Sequence, residues 1–206
     1  GSSVHETLKQ FYQMLKIKKD LPFSFMEEMY LKNWNSEGYD SVVHENTKKK
    51  RGLEMLKKYY DSNCNPWTIP EFLEKPFNVR IGEYLINGRI DRIDKLGDGT
   101  YEVIDYKTGA IHFDKLASDL NMKKNLQLSI YALACRDLFK IPVSKLSLYF
   151  LDANEKISTE RTDEQIDSLA EEIKAKIEEM KKSGFDPTQN EKLCKFCDFR
   201  LICPAV

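Results

Sequence analysis

Two aspartates and a lysine carry the most legible chemistry in the sequence: Asp91, Asp105 and Lys107. They stand in Ile90-Asp91-Arg92-Ile93-Asp94 and in Val103-Ile104-Asp105-Tyr106-Lys107-Thr108-Gly109, two apolar, β-branched segments on either side of Gly97-Asp98-Gly99. That pattern reads as a β-hairpin. Alternate side chains on a strand share a face, so Asp105 and Lys107 point the same way at the end of the second strand. Two carboxylates and an ammonium converging at strand ends suit phosphoryl chemistry. The carboxylates can hold a divalent cation while the lysine faces a phosphate or an attacking water. Alone, an Asp-x-Lys triplet is common and an Asp at a strand end is usually a turn former. Here Val103-Ile104 gives Asp105 a buried-strand setting, and Gly88-Arg89-Ile90-Asp91 precedes it at hairpin distance.

The surrounding elements follow from hydrophobic period. Val4, Leu8, Phe11, Tyr12 and Leu15 predict an amphipathic helix over residues 4–18, with His5 near its buried edge as either a packed residue or a ligand. Phe23, Phe25, Met26, Met29, Tyr30 and Trp34 predict a second helix over 22–35 whose aromatics read as core. Lys48-Lys49-Lys50-Arg51 opens a third helix, either as a solvated face or as a phosphate-binding patch. Residues 63–70, with two prolines, break the helical pattern.

From 71 to 94 the period becomes two: Phe77, Val79 and Ile81, a Gly82-Glu83 turn, then Tyr84 and Ile86. With 89–94 and 101–106 this predicts about three antiparallel strands. Glu74 stands just before the first of them, a third carboxylate at the site or a surface residue. Residues 120–138 predict a helix with Leu126, Ile130, Leu133, Ala134 and Leu138 on its apolar face, and with Gln127 and Tyr131 one turn apart. A strand through Leu146, Leu148, Phe150 and Leu151, paired with residues 156–161, comes next. Thr162-x-x-Gln165 then forms a capping box for a final helix carrying Ile166, Leu169, Ile173, Ile177 and Met180, ended by Gly184. The order of elements predicts a mixed α/β (α+β) domain with a central sheet.

Composition bounds the rest. The 206 residues are 41% hydrophobic, enough for a core, and suit one domain with a helical elaboration. With 32 basic and 33 acidic residues there is no global basic signal, so an anionic polymer would have to meet a local patch. No apolar run reaches the roughly 18 residues of a membrane helix, and no signal peptide is visible. Five cysteines, three of them in the tail, argue against a secreted disulfide scaffold and for an intracellular, cytoplasmic chain. Cys194, Cys197 and Cys203 suit a soft metal site, zinc or iron–sulfur, one ligand short of closure. Cys64, Cys135 or a residue upstream of Gly1 could supply the fourth, although Cys135 reads better as packed.

Together these features resemble the RecB-like branch of the PD-(D/E)XK nuclease superfamily, over essentially the whole chain. The four-cysteine subset of that branch includes AddB-type and CRISPR-associated nucleases, and similar domains end some UvrD/Rep-type helicases. Gly1-x-x-Val4-His5-x-x-Leu8 is similar to the family's histidine-bearing helix, Gly88-Arg89-Ile90-Asp91 to the strand of its first acid, and Val103 to Gly109 to its Asp-x-Lys strand. Gln127-Leu-Ser-Ile-Tyr131 resembles its Gln-x-x-x-Tyr helix, and the tail its three C-terminal cluster cysteines. Ile90 stands where the superfamily's name has proline.

The resemblance implies a restriction-endonuclease-like core: a central mixed sheet flanked by helices, with an N-terminal helical elaboration. It divides one nuclease domain, 1–206, into a helical region (1–70), a catalytic sheet with the Gln-x-x-x-Tyr helix (71–161) and a C-terminal helix with the cysteine tail (162–206). It implies that His5, Asp91, Asp105 and the Tyr106 carbonyl bind Mg²⁺ or Mn²⁺, and that Lys107 orients or activates water. Gln127 and Tyr131 would then help hold DNA. The family's first cluster cysteine precedes the histidine helix. The resemblance therefore implies a 4Fe–4S cluster, on Cys194, Cys197 and Cys203, that belongs to the parent protein and is incomplete in this fragment.

The activity implied is a metal-dependent deoxyribonuclease, exonucleolytic, fused to or partnered with a helicase in DNA repair or recombination. A non-catalytic DNA-binding or scaffolding module on the same fold is the competing class, although Asp91, Asp105 and Lys107 are all retained. A zinc-stabilised protein-interaction domain would explain the tail but leave those three idle.

Overall fold

The structure, a computed structural model, describes residues 1–109, 122–195 and 197–205. Three helices come first: α1 (Ser2–Lys18), α2 (Phe23–Lys32) and α3 (Val42–Asn63). Three strands follow, β1 (Phe72–Ile81), β2 (Tyr84–Lys95) and β3 (Tyr101–Lys107). Helix α4 (Leu126–Leu133) continues into a π-helix over Ala134–Phe139. Strands β4 (Val143–Phe150) and β5 (Glu155–Thr159) precede α5 (Asp163–Lys182) and a short α6 (Glu191–Cys194).

The strands form one mixed sheet in the order β1-β2-β3-β4-β5. Strands β1, β2 and β3 are successively antiparallel, β4 joins β3 in parallel, and β5 is antiparallel to β4. The β2–β3 turn is the expected Gly-Asp-Gly. Asp98 Oδ1 accepts from the Thr100 N–H at 2.9 Å, and Gly99 takes a φ of +86° that favours glycine.

Each face of the sheet carries a core. Helices α1–α3 bury Leu8, Phe11, Leu15, Met26, Tyr30 and Leu56 against Ile104, Tyr106, Tyr149 and Leu151. Each fully buried side chain of this size contributes about 1.5–3 kcal/mol. Helix α4, the π-helix and α5 cover the other face, packing Leu128, Tyr131 and Leu169 on Ile90, Ile93, Val103, Leu146 and Leu148. Strand β3 is therefore buried on both sides, as its continuous apolar run requires.

Three sequence expectations change. Helix α3 does not open at Lys48. It begins at Val42 because the Ser41 side chain accepts from the His44 N–H, which leaves Lys48 to Arg51 in its middle. Its Gly52 lets α2 approach, since a Cβ there would collide with the Tyr30 hydroxyl. Helix α4 starts at Leu126, where the Asn125 side chain caps the Leu128 N–H, and its expected apolar residues Leu126 and Leu138 are exposed. Residues 120 and 121 of that expectation lie outside the described residues. Helix α5 keeps its capping box but ends in an extended Ser183 rather than at Gly184.

Candidate active site

Strand alternation slips together in β1 and β2, and the site forms there. Ile90 and Ile93 lie three residues apart yet belong to the same core, as do Phe72 and Phe77, five apart. The β1–β2 register is constant across the slip, pairing Leu73 with Arg92 and Lys75 with Ile90. Glu74 and Asp91 are therefore opposite one another where both strands turn. Glu74, which sits within β1 rather than before it, takes a φ of +49° to do so. A non-glycine residue in that region costs on the order of 1–3 kcal/mol and persists only where neighbouring structure imposes it.

His5 reaches this point from the first turn of α1, at the edge of the stripe that buries Val4 and Leu8. One ligand atom from each of His5, Glu74 and Asp91 lies within 4.8 Å of the others. His5 Nδ1 is 3.4 Å from Asp91 Oδ2, and that oxygen also accepts the Tyr106 backbone N–H at 2.9 Å. Tyr106 thus meets the site through its backbone while its ring lies in the opposite core.

Asp105 stands beside this triangle. Its Oδ2 is buried and lies 2.6 Å from Lys107 Nζ, an ion pair that is its one polar contact among the described residues. Lys107 Nζ donates to Gln127 Oε1 at 2.7 Å, and Gln127 Nε2 donates to the Tyr131 hydroxyl at 2.8 Å. The Tyr131 hydroxyl in turn reaches the Arg89 carbonyl at 3.1 Å and Asp105 Oδ1 at 3.2 Å. Burial first, then the charges of Asp105 and Asp91, push the Tyr131 phenol far above its usual value, so it stays a donor. Sequence spacing put Gln127 and Tyr131 one turn apart, but it could not show that they grip the acid and the lysine. The Arg89 guanidinium, 3.6 Å from Glu74, was also missed. Its position two residues before Asp91 was the available signal.

One imidazole nitrogen, two converging carboxylates and a buried carboxylate oxygen held only by Lys107 form a donor set that fits a hard divalent cation of the Mg²⁺ or Mn²⁺ kind. The electrostatics agree. Burial, and next the charge of Asp91, hold Glu74 above the usual carboxylate range. Burial likewise raises Asp105; the Lys107 hydrogen bond pulls it back, and Asp91 pushes it up again. Burial works to lower His5, but its hydrogen bond to Asp91 and the charges of Asp91, Asp105 and Glu74 prevail, so it is raised.

All three groups bind protons more tightly folded than unfolded. Their contribution to stability is present at low pH and is lost as pH rises through the folded values. In EDTA, Tm is expected to fall as pH rises from about 4 to beyond 6.5, and added Mn²⁺ should restore it most at the upper end, where the ligands are deprotonated. Thermal scans across pH with and without Mn²⁺ check this. A Mn²⁺ effect that ignores pH would count against these ligands.

The cysteine tail is not gathered in the same way. Cys194, Cys197 and Cys203 are free thiols, and among the described residues their sulfurs do not join a converging ligand group. Cys135 belongs to the π-helix and points into the core, and Cys64 caps α3. Among the described residues no helix is long and apolar enough to cross a membrane.

Relatives carry similar sequence. The chain is 28% identical over 165 residues to the Gene 69 protein of Mycobacterium phage L5, covering 75% of this chain and 52% of that protein. It is 28% identical over 168 residues to the Gene 69 protein of Mycobacterium phage D29, covering 75% of this chain and 58% of the relative. The chain thus spans little more than half the length of these relatives. It is also 32% identical over 113 residues to one subunit of the ATP-dependent helicase/deoxyribonuclease of Streptococcus pyogenes serotype M6, covering 50% of this chain and 10% of that protein. A family model of the PD-(D/E)XK nuclease superfamily matches residues 1–204. With that match spanning the α1 histidine, the β2 and β3 acids, the lysine and the cysteine tail, the chain belongs to the PD-(D/E)XK nuclease superfamily.

Proposed function

We propose that this chain is a divalent-metal-dependent deoxyribonuclease domain that hydrolyses phosphodiester bonds, working exonucleolytically in the cytoplasm with a fused or separate helicase in DNA repair or recombination. The observation that carries the reading is the convergence of His5, Glu74 and Asp91 beside the Asp105–Lys107 pair. Membership of a nuclease superfamily and likeness to a helicase/deoxyribonuclease component support DNA as substrate and a helicase as partner. The whole chain is taken as one domain, with a helical region over 1–70, a catalytic sheet over 71–161, and a C-terminal helix and tail over 162–206.

In this reading His5, Glu74, Asp91 and Asp105, with the Tyr106 carbonyl, hold Mg²⁺ or Mn²⁺. The chemistry supplied by such a cation is polarisation of the scissile phosphate and neutralisation of the charge that develops on it. Lys107 adds a second positive charge where negative charge grows and orients the attacking water. Gln127 and Tyr131 act on Lys107 and Asp105: they fix the ammonium and the carboxylate while the Tyr131 proton stays in place. Cys194, Cys197 and Cys203 are assigned to a 4Fe–4S cluster, for which their thiolate ligands and spacing are suited.

The test is degradation of end-labelled single- and double-stranded DNA with Mg²⁺, Mn²⁺ or EDTA, alongside Asp105→Ala. Metal-dependent cleavage that disappears in the variant is the expected result, with mononucleotide products marking an exonuclease. DNA binding without cleavage under every metal condition would favour a non-catalytic module on this fold.

A further inference from the structure

Beside the acidic cluster lies a cavity of about 380 Å³ that the catalytic reading does not use. Its walls include Trp34, Tyr39, Lys48, Arg51 and Thr108, with Glu37 among its lining charges. Two chain segments run from its wall to the cluster, since Thr108 follows Lys107 and the lining residue Val4 precedes His5. Trp34 and Tyr39 are stacked, with centroids 5.5 Å apart and planes 11° from parallel. Trp34 lies beyond the end of α2 at Lys32, and its indole N–H donates to Glu45 Oε1 of α3 at 2.8 Å, which fixes the ring. Arg51 is bound in a fork to Asp152 at 2.7 and 2.9 Å. No carboxylate among the described residues pairs with Lys48, which is exposed.

A fixed pair of stacked rings, an unpaired ammonium and a volume in the usual range for small-ligand pockets favour a flat base joined to a phosphate. The position favours a unit of the same polymer whose neighbouring phosphate lies at the cluster. We propose that this cavity is a nucleotide subsite. It takes one base of single-stranded DNA flanking the scissile phosphate, with the base on the Trp34–Tyr39 pair and a phosphate at Lys48. The assignment rests on the nuclease reading for the identity of the polymer. It also gives the lysine run of α3 a use: of its members, Lys48 faces the substrate path, whereas Lys49 lies 5.8 Å from the Trp34 centroid and supports the ring.

The chain has two tryptophans, and Trp67 packs among Phe11, Tyr12 and Tyr60, so Trp34 is the reporter for this cavity. The experiment titrates the chain in EDTA, where no cleavage occurs, with a short oligothymidylate, and follows tryptophan emission and binding at several salt concentrations. Binding should quench Trp34. Trp34→Ala should weaken affinity about tenfold, since the ring that backs Tyr39 against the base is lost, while Trp34→Phe retains most of it. Lys48→Gln, at an exposed position that does not threaten folding, should lower the salt slope by about one. Lys176→Gln on α5 is the control for loss of a remote charge. If Trp34→Ala and Lys48→Gln bind like Lys176→Gln while the wild-type chain cleaves DNA with Mg²⁺, the subsite is refuted and the nuclease reading stands. If the wild-type chain neither binds nor cleaves, both fall.

Discussion

Lys107→Ala is expected to lower the rate of phosphodiester cleavage by about 10²–10³-fold, the usual loss when one group that stabilises transition-state charge is removed. The fold should survive, because Lys107 sits at the end of β3 and its ammonium packs no core. Metal binding should survive as well, since His5, Glu74 and Asp91 converge without it. Two groups lose their cation: Asp105 Oδ2 and Gln127 Oε1. Lys107 holds the Asp105 carboxyl down against burial and the charge of Asp91, so its removal lets Asp105 rise further. The residual activity should therefore appear at higher pH than in the wild-type chain, because a deprotonated Asp105 is needed and is reached later. Single-turnover cleavage across pH, with Mn²⁺ affinity measured in parallel, tests both expectations. Wild-type rates in Lys107→Ala would remove the lysine from the reaction. Lost metal binding would show that its role is structural.

Arg92→Met should cost about 3–5 kcal/mol of stability, the range for stripping one partner from a buried ion pair. Arg92 lies on β2 directly after Asp91 but points into the opposite core. There its guanidinium donates to Asp94 through two bonds of 2.7 Å, to the Tyr59 hydroxyl at 2.8 Å and to the Thr68 carbonyl at 3.0 Å. It also lies 4.4 Å from the Tyr12 ring centroid. The variant leaves Asp94 buried without its cation. Burial already holds Asp94 above the usual carboxylate range and Arg92 opposes that rise, so the variant raises it more. A raised folded pKa gives stability at low pH that is lost as pH rises. The deficit should thus be larger at pH 8 than at pH 4. Urea unfolding with an unchanged m value measures it. Replacing the pair together, Arg92→Met with Asp94→Leu, should recover most of the loss. A single-variant deficit below about 1 kcal/mol would mean that the pair is solvated.

These two residues mark where sequence reading holds and where it stops. Period-two alternation correctly separated Asp105 and Lys107 from Tyr106, because β3 keeps one register from Glu102 to Lys107 and its Cβ atoms must alternate there. It also found the Gly97–Gly99 turn, the buried faces of α1 and α5 and the capping box at Thr162, all of which depend on residues within a few positions of one another. The central sheet followed from the order of those elements, and its mixed character with flanking helices from the family resemblance. The sequence by itself therefore determined which strands exist, where the hairpin turns and which acid and lysine share a face.

Only the tertiary structure decided how they become a site. Glu74 was open between ligand and surface because nothing local demands a left-handed backbone in a glutamate. The paired slip of β1 and β2 demands it, and a slip shared by two strands is a property of the sheet. His5 could be read as core or ligand until α1 packed its first turn over Asp91. The grip of Gln127 and Tyr131 on Lys107 and Asp105 likewise needed α4 laid across β3. Backbone periodicity is set by neighbours in the chain, so it can be read from sequence. Convergence of charged groups from α1, β1, β2, β3 and α4 is set by the packing of apolar faces, and its geometry appears only when those faces meet.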